Sequence, residues 1–101
     1  LITEFGAGGL SGYHSMARRK WSEEHQSQQL SRQIMQMRQN KNVRGCYIWQ
    51  YCDILSNPDR AITRPRTLNK KGVVDEFRRP KMAYYIVRDL FHRLAEQDAK
   101  A

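Results

Sequence analysis

The sequence predicts an α/β chain: a strand, a helix, a second strand and a second helix follow one another over 101 residues. Three observations carry this. Two short runs, LITEF at 1–5 and VRGCYIWQYC at 43–52, are rich in β-branched and aromatic residues. Two longer stretches repeat apolar residues at helical spacing, and glycine- or proline-bearing segments separate the four elements. Strand, helix, strand predicts a βαβ unit with a right-handed crossover. Two parallel strands between two helices leave open edges and uncovered apolar faces, so the chain reads as a fraction of an α/β domain, with the missing strands in a longer chain or in companion fragments.

Residues 1–5 form the first strand. The loop from Gly6 to about Trp21 is long for a connection and carries Gly6, Gly8, Gly9 and Gly12 with Tyr13 and His14. Ser22 is placed as an N-cap, with Glu23 and Glu24 in a first turn where negative charge suits the helix dipole. That helix is expected to run to about Asn40 on a stripe of Leu30, Ile34 and Met37, with Met35 beside it. Val43 to Cys52 is the strongest strand, with Tyr47, Trp49 and Tyr51 on one face and Cys46, Ile48 and Cys52 on the other. A polar, basic loop follows from Asp53 to Phe77. Pro80 then precedes a second amphipathic helix, Lys81 to about Gln97, with Met82, Tyr85, Ile86, Leu90 and Leu94 at helical spacing.

Composition narrows the function classes. The length suits one compact unit. No apolar run approaches the roughly 20 residues of a membrane helix, so a soluble chain is expected. No signal peptide is visible, and the chain starts without Met inside a strand, as a cut piece would. Six residues of strand hold Cys46 and Cys52 near 20 Å apart, beyond the ~7 Å limit of a disulfide. Both are expected to be buried thiols, and a reducing, cytoplasmic setting follows. The net charge of +8 is uneven: residues 60–81 hold eight Lys or Arg against Asp75 and Glu76. An anion is expected near that stretch.

Chemistry concentrates at the ends of the two strands. Glu4 ends the first, Trp49 with Tyr51 and Asp53 ends the second, and the basic loop follows at once. In a parallel β/α barrel these features would face one pocket at the carboxyl ends of the strands. A carboxylate beside an aromatic platform is the arrangement of a retaining glycosidase, whose partner carboxylate lies about 5 to 5.5 Å away.

The runs ITEFG, GYHSM, WSEE, IWQYCD, NKKG and RRPK, in this order and over nearly the whole chain, resemble the carboxy-terminal part of the catalytic barrel of family 2 glycoside hydrolases, and most nearly β-glucuronidases. The resemblance implies the last two βα units, strands seven and eight with their helices, of a TIM-type (β/α)8 barrel spanning residues 1–101. It implies that Glu4 is the nucleophile, that Asn69 and Lys71 of the NxK triplet recognise the sugar carboxylate, and that Trp49 lines the sugar site. An arginine usually stands four residues before that triplet; here the position is Pro65, so Arg64 and Arg66 are both candidates. The general acid/base would lie upstream of Leu1, and this segment alone would be inactive. A glucuronide-type carbohydrate is the implied substrate and a homo-oligomer the implied full-length state, with no cofactor, metal, membrane or nucleic acid.

Two rivals stand beside this. A family 2 enzyme for a neutral sugar, such as a β-galactosidase, would use the cationic loop for structure. A basic nucleic-acid-binding module would show aromatics among its positive charges, whereas here they lie mainly in apolar strand or helix patterns.

Overall fold

The computed structural model describes residues 2–55 and 68–100. In order these form β1 (Ile2–Phe5), α1 (Glu23–Gln39), β2 (Cys46–Ile48), β3 (Ile54–Leu55), β4 (Leu68–Asn69) and α2 (Met82–Lys100). β1 pairs with β2 in parallel, Ile2 opposite Cys46 and Phe5 opposite Ile48. The strand, helix, strand order expected from the sequence is therefore present, with α1 as the crossover.

The long helix begins where its capping chemistry says it should. Ser22 Oγ accepts from the His25 amide at 3.1 Å, Glu23 and Glu24 occupy the first turn, and Arg38 lies in the last. Such a cap stabilises a helix by about 1 kcal/mol. Leu30 and Ile34, one turn apart, bury the inner face of α1 against Ala83 and Val87 of α2 and against Val73 and Val74. Each fully buried aliphatic side chain contributes about 1.5 to 3 kcal/mol. Met37 joins the edge of this core, whereas Met35 turns outward.

Three expectations are corrected. The strong strand 43–52 is regular only from Cys46 to Ile48, because the chain changes partner beyond it. Gln50 N donates to Lys71 O at 3.1 Å, Val73 N to Gln50 O at 3.0 Å and Val74 N to Tyr51 O at 2.9 Å, so residues 50–53 pair with 71–74 and leave β1. The stretch 53–77 is likewise more than a loop, since Ile54–Leu55 and Leu68–Asn69 pair antiparallel. Finally, α2 buries Ala83 and Val87, with Leu90 and Leu94 partly covered, while Met82 and Tyr85 stay exposed. Its buried stripe is rotated because small Ala83 permits close approach to α1, which bulkier Met82 and Tyr85 would prevent.

The two faces of the β1–β2 pair differ. Phe5, Ile48 and Cys52 pack towards the helices. The alternate residues are open: Glu4 is exposed, and Tyr47 and Trp49 keep 65% and 40% of their surface accessible. Among the described residues only the helix side of this pair is covered. Both cysteines are free and half-buried rather than fully buried, and burial pushes the Cys46 thiol up. Among the described residues no helix is long and apolar enough to cross a membrane.

Candidate active site

The open face of the sheet carries Glu4 and Trp49 near the carboxyl end of the pair: Phe5 stands opposite Ile48, so Glu4 lies one step before that pair and Trp49 one step after it, where the Trp49 amide donates to the Phe5 carbonyl at 2.7 Å. Gly6 follows at once, and a Cβ there would run into the Trp49 carbonyl. The chain therefore leaves β1 hard against the end of β2, and only a glycine allows that approach.

The NKK segment reaches the same place through its backbone. Lys71 O accepts from Gln50 N, one residue beyond Trp49, and Lys70 O accepts from Gly9 N at 2.9 Å. The loop after Glu4, the segment after Trp49 and the Asn69–Lys71 turn thus meet at the carboxyl end of the parallel pair. Asn69 is buried, and its Oδ1 accepts from the Lys71 amide at 3.0 Å. It is a turn residue in that sense, yet the bond fixes the amide plane and leaves Nδ2 without a hydrogen bond among the described residues. The Lys71 side chain is exposed. No hydrogen bond between two side chains joins Glu4, Trp49, Asn69 and Lys71 to one another. Arg64 and Arg66 lie outside the described residues.

Two parts of the sequence-based site belong to the interior instead. Asp53, expected in the pocket with Trp49, is 2% exposed and accepts at Oδ1 from Lys81 Nζ and Gly72 N, each at 2.9 Å. The basic stretch is also less free than its composition suggests. Lys81 is fully buried, and Lys70 is buried with its ammonium 3.0 Å from Glu76 and 3.7 Å from Asp53. Burial pushes the Asp53 carboxyl up and the Lys81 ammonium down, with the ion pair between them opposing both shifts. Asp75 is held below the usual carboxylate range: burial works to raise it, but the amides of Arg79 and Phe77 and the Arg79 guanidinium together outweigh that. Single-sequence reasoning misses these groups because lysine and aspartate are read as surface residues. The RRPK run ends in Lys81, but nothing in its spacing marks that lysine as internal.

The glycine-rich loop is held by α1. Glu23, at the start of the helix, is buried and accepts from Gly12 N and from Met82 N, both at 2.6 Å, so it also caps α2. His14 Nδ1 lies 2.6 Å from Glu24 Oε2, and the Ser15 amide donates to Glu24 Oε1 at 2.8 Å. This hydrogen bond raises the His14 imidazole above 6.5 and lowers the Glu24 carboxyl. His14 therefore serves loop structure, as its position suggested. Gln26 donates from Nε2 to Ala7 O and Gly72 O, at 3.1 and 2.9 Å, tying the same loop to the segment beside β2.

Comparison with known proteins adds the class. No protein-family profile matches the chain. In fold it superposes on a family 2 β-galacturonidase from Eisenbergiella tayi, solved with galacturonate, with a TM-score of 0.88 and 47% identity over 91% of this chain and 16% of that one. On the β-D-glucuronidase of Dictyoglomus thermophilum the TM-score is 0.80, with 32% identity over 88% of this chain and 15% of that one. The chain therefore corresponds to a segment of family 2 glycoside hydrolases. Among curated proteins it is 34% identical over 99 residues to the β-glucuronidase of Rattus norvegicus, covering 96% of this chain, and 30% identical over 100 residues to that of Paenibacillus borealis, covering 99%. It spans about 15% of the length of these relatives.

Proposed function

We propose that residues 1–101 are the carboxy-terminal segment of a family 2 catalytic (β/α)8 barrel, its strands seven and eight with their helices, in a longer enzyme that hydrolyses β-D-glucuronides with retention. The observation that carries this is the meeting of three segments at one end of the parallel pair: Glu4 and Trp49 on the open sheet face, and the Asn69–Lys71 turn bonded to Gln50 beside them. A sugar ring stacked on Trp49 would present its anomeric carbon to Glu4. The Glu4 carboxylate forms the glycosyl ester as the aglycone oxygen leaves, protonated by an acid from another part of the barrel. Water then attacks the same carbon, gives its proton to that group and releases Glu4. Two inversions give net retention.

Asn69 and Lys71 supply the selectivity. With Oδ1 engaged by the Lys71 amide, Nδ2 of Asn69, which has no hydrogen bond among the described residues, supplies a donor, and the exposed Lys71 side chain adds the charge. A donor and a cation in one turn suit a carboxylate, and Arg64 or Arg66 would add a second cation. A neutral-sugar enzyme has no use for that pair. A β-galacturonide is a second reading, favoured by the 47% identity to the Eisenbergiella enzyme. It shares the carboxylate and differs only in the configuration at C4.

The test is Glu4→Gln in the full-length enzyme. Turnover of an aryl β-glucuronide and of the matching galacturonide should fall by several orders of magnitude with folding unchanged. A wild-type sample quenched during turnover of a slow fluorinated substrate should carry the sugar mass on the peptide containing Glu4. More than a tenth of wild-type rate in the Gln variant, or label on another carboxylate, would remove Glu4 from the nucleophile's role.

A further inference from the structure

Among the described residues, Lys81 hydrogen-bonds all three segments meeting at the site through its side chain. Its side chain is fully buried, and its Nζ donates to Gly9 O at 2.7 Å, Asp53 Oδ1 at 2.9 Å and Lys70 O at 3.3 Å. An ammonium has three donors and no acceptor, so its capacity is filled, one bond to each segment. Gly9 lies five residues after Glu4, Asp53 four after Trp49, and Lys70 between Asn69 and Lys71. The Lys81 amide also donates to Val73 O at 2.9 Å, anchoring the residue at the entrance of α2.

We propose that Lys81 is a positioning residue of the active site: its ammonium sets the placement of the nucleophile's loop, the tryptophan's segment and the uronate-reading turn relative to one another. This rests on the reading of the site given above. A buried ion pair with Asp53 alone would need only one of the three bonds. The two carbonyl acceptors, Gly9 O and Lys70 O, lie on segments outside α2, and each is within five residues of a group assigned to the chemistry. A shift of about 1 Å in such a group costs on the order of a hundredfold in rate.

The test compares wild type, Lys81→Met and Lys81→Met/Asp53→Asn in the full-length enzyme. Met keeps the length of the stem and removes every donor, but strands a buried carboxylate, which destabilises. Asn at 53 removes that charge while keeping an acceptor for Gly72 N, so the double variant should regain much of the lost Tm. Its kcat/KM on an aryl β-uronide is still expected to be about a hundredfold low, mainly in kcat, and the ratio of uronide to matched neutral glycoside should fall at least tenfold. A double variant with wild-type kcat/KM and ratio overturns the proposal, as does a loss equal on both substrates that simply follows Tm. Should Lys81→Met fail to accumulate, the double variant carries the comparison. Hydrogen exchange at the Gly9 and Gln50 amides, which donate to Lys70 O and Lys71 O, gives a reading that needs no substrate. Exchange at least tenfold faster supports positioning even if the wild type cleaves no uronide and the substrate assignment fails; unchanged exchange overturns it.

Discussion

Replacing Lys71 by Met in the full-length enzyme removes one charge and keeps the stem. What it leaves in place sets the magnitude. Asn69 is oriented by the backbone amide of residue 71, not by the lysine side chain, so the amide donor of the proposed carboxylate clamp survives. The loss is therefore one charge-assisted hydrogen bond, about 1.5 to 3 kcal/mol. At 1.36 kcal/mol per decade this is roughly ten- to a hundred-and-fifty-fold in kcat/KM on a uronide. A matched aryl β-glucoside lacks the carboxylate and should lose less than about threefold, since no bond to Lys71 is made in either state. The assay is the pair of kcat/KM values for the two substrates, wild type against variant. Equal losses on both would refute the reasoning and reduce Lys71 to a support of the turn.

Two further predictions concern the frame around the site. Glu23→Gln leaves one acceptor where two amides converge, and turns a donor towards the other. The cost of about 1.5 to 3 kcal/mol should appear as roughly ten- to a hundred-and-fifty-fold faster hydrogen exchange at Gly12 or Met82, and unchanged protection at both would contradict it. The His14–Glu24 contact should depend on pH at both ends. His14 is raised, so its share of stability is full below pH 6.5 and fades as pH rises through the folded value; Glu24 is lowered, so its share holds above pH 4.5 and fades as pH falls through its folded value. In an NMR titration the His14 imidazole should titrate above 6.5 in the wild type and move down in Glu24→Gln; an identical midpoint in both would show that the contact is not made in solution.

What the sequence discloses here follows the range of its signals. Ser22 with Glu23 and Glu24 marks a helix start because capping acts within one turn, and α1 begins there. The two apolar runs announce strands, and the crossover between them is long enough to make them parallel. The ends of those strands are less legible. Whether Gln50 continues beside β1 or turns to Lys71 is decided by a partner twenty-one residues away, which no local pattern encodes. The same holds for the stripe of α2, where small Ala83 wins the interface over Met82 and Tyr85 because closeness to α1 matters more than bulk. Glu4, Trp49, Asn69 and Lys71 were readable as candidates through the resemblance, and the segments that carry them meet at one end of the pair. Asp53, Lys70 and Lys81 were not. Charges that neutralise one another in the interior look, in a list of residues, like charges that face water.

The polar interior also has a mechanical consequence. Glu23, Gln26, Gln50, Asp53, Lys70 and Lys81 are all buried at the end of the unit where the strands finish. At the opposite end the two helices are joined by an exposed Arg38–Asp98 pair, with bonds of 3.0 and 2.6 Å, above an apolar hollow of about 170 Å³ lined by Ile34, Met37, Cys46, Phe91 and Leu94. An exposed pair of this kind resists separation by no more than about 1 kcal/mol, whereas the cemented end opens only by stranding ions in the interior. The unit is accordingly stiff at one end and yielding at the other. Under heat or denaturant its helices should part first at their far tips, and the end that carries Glu4 and Trp49 should be the last to let go.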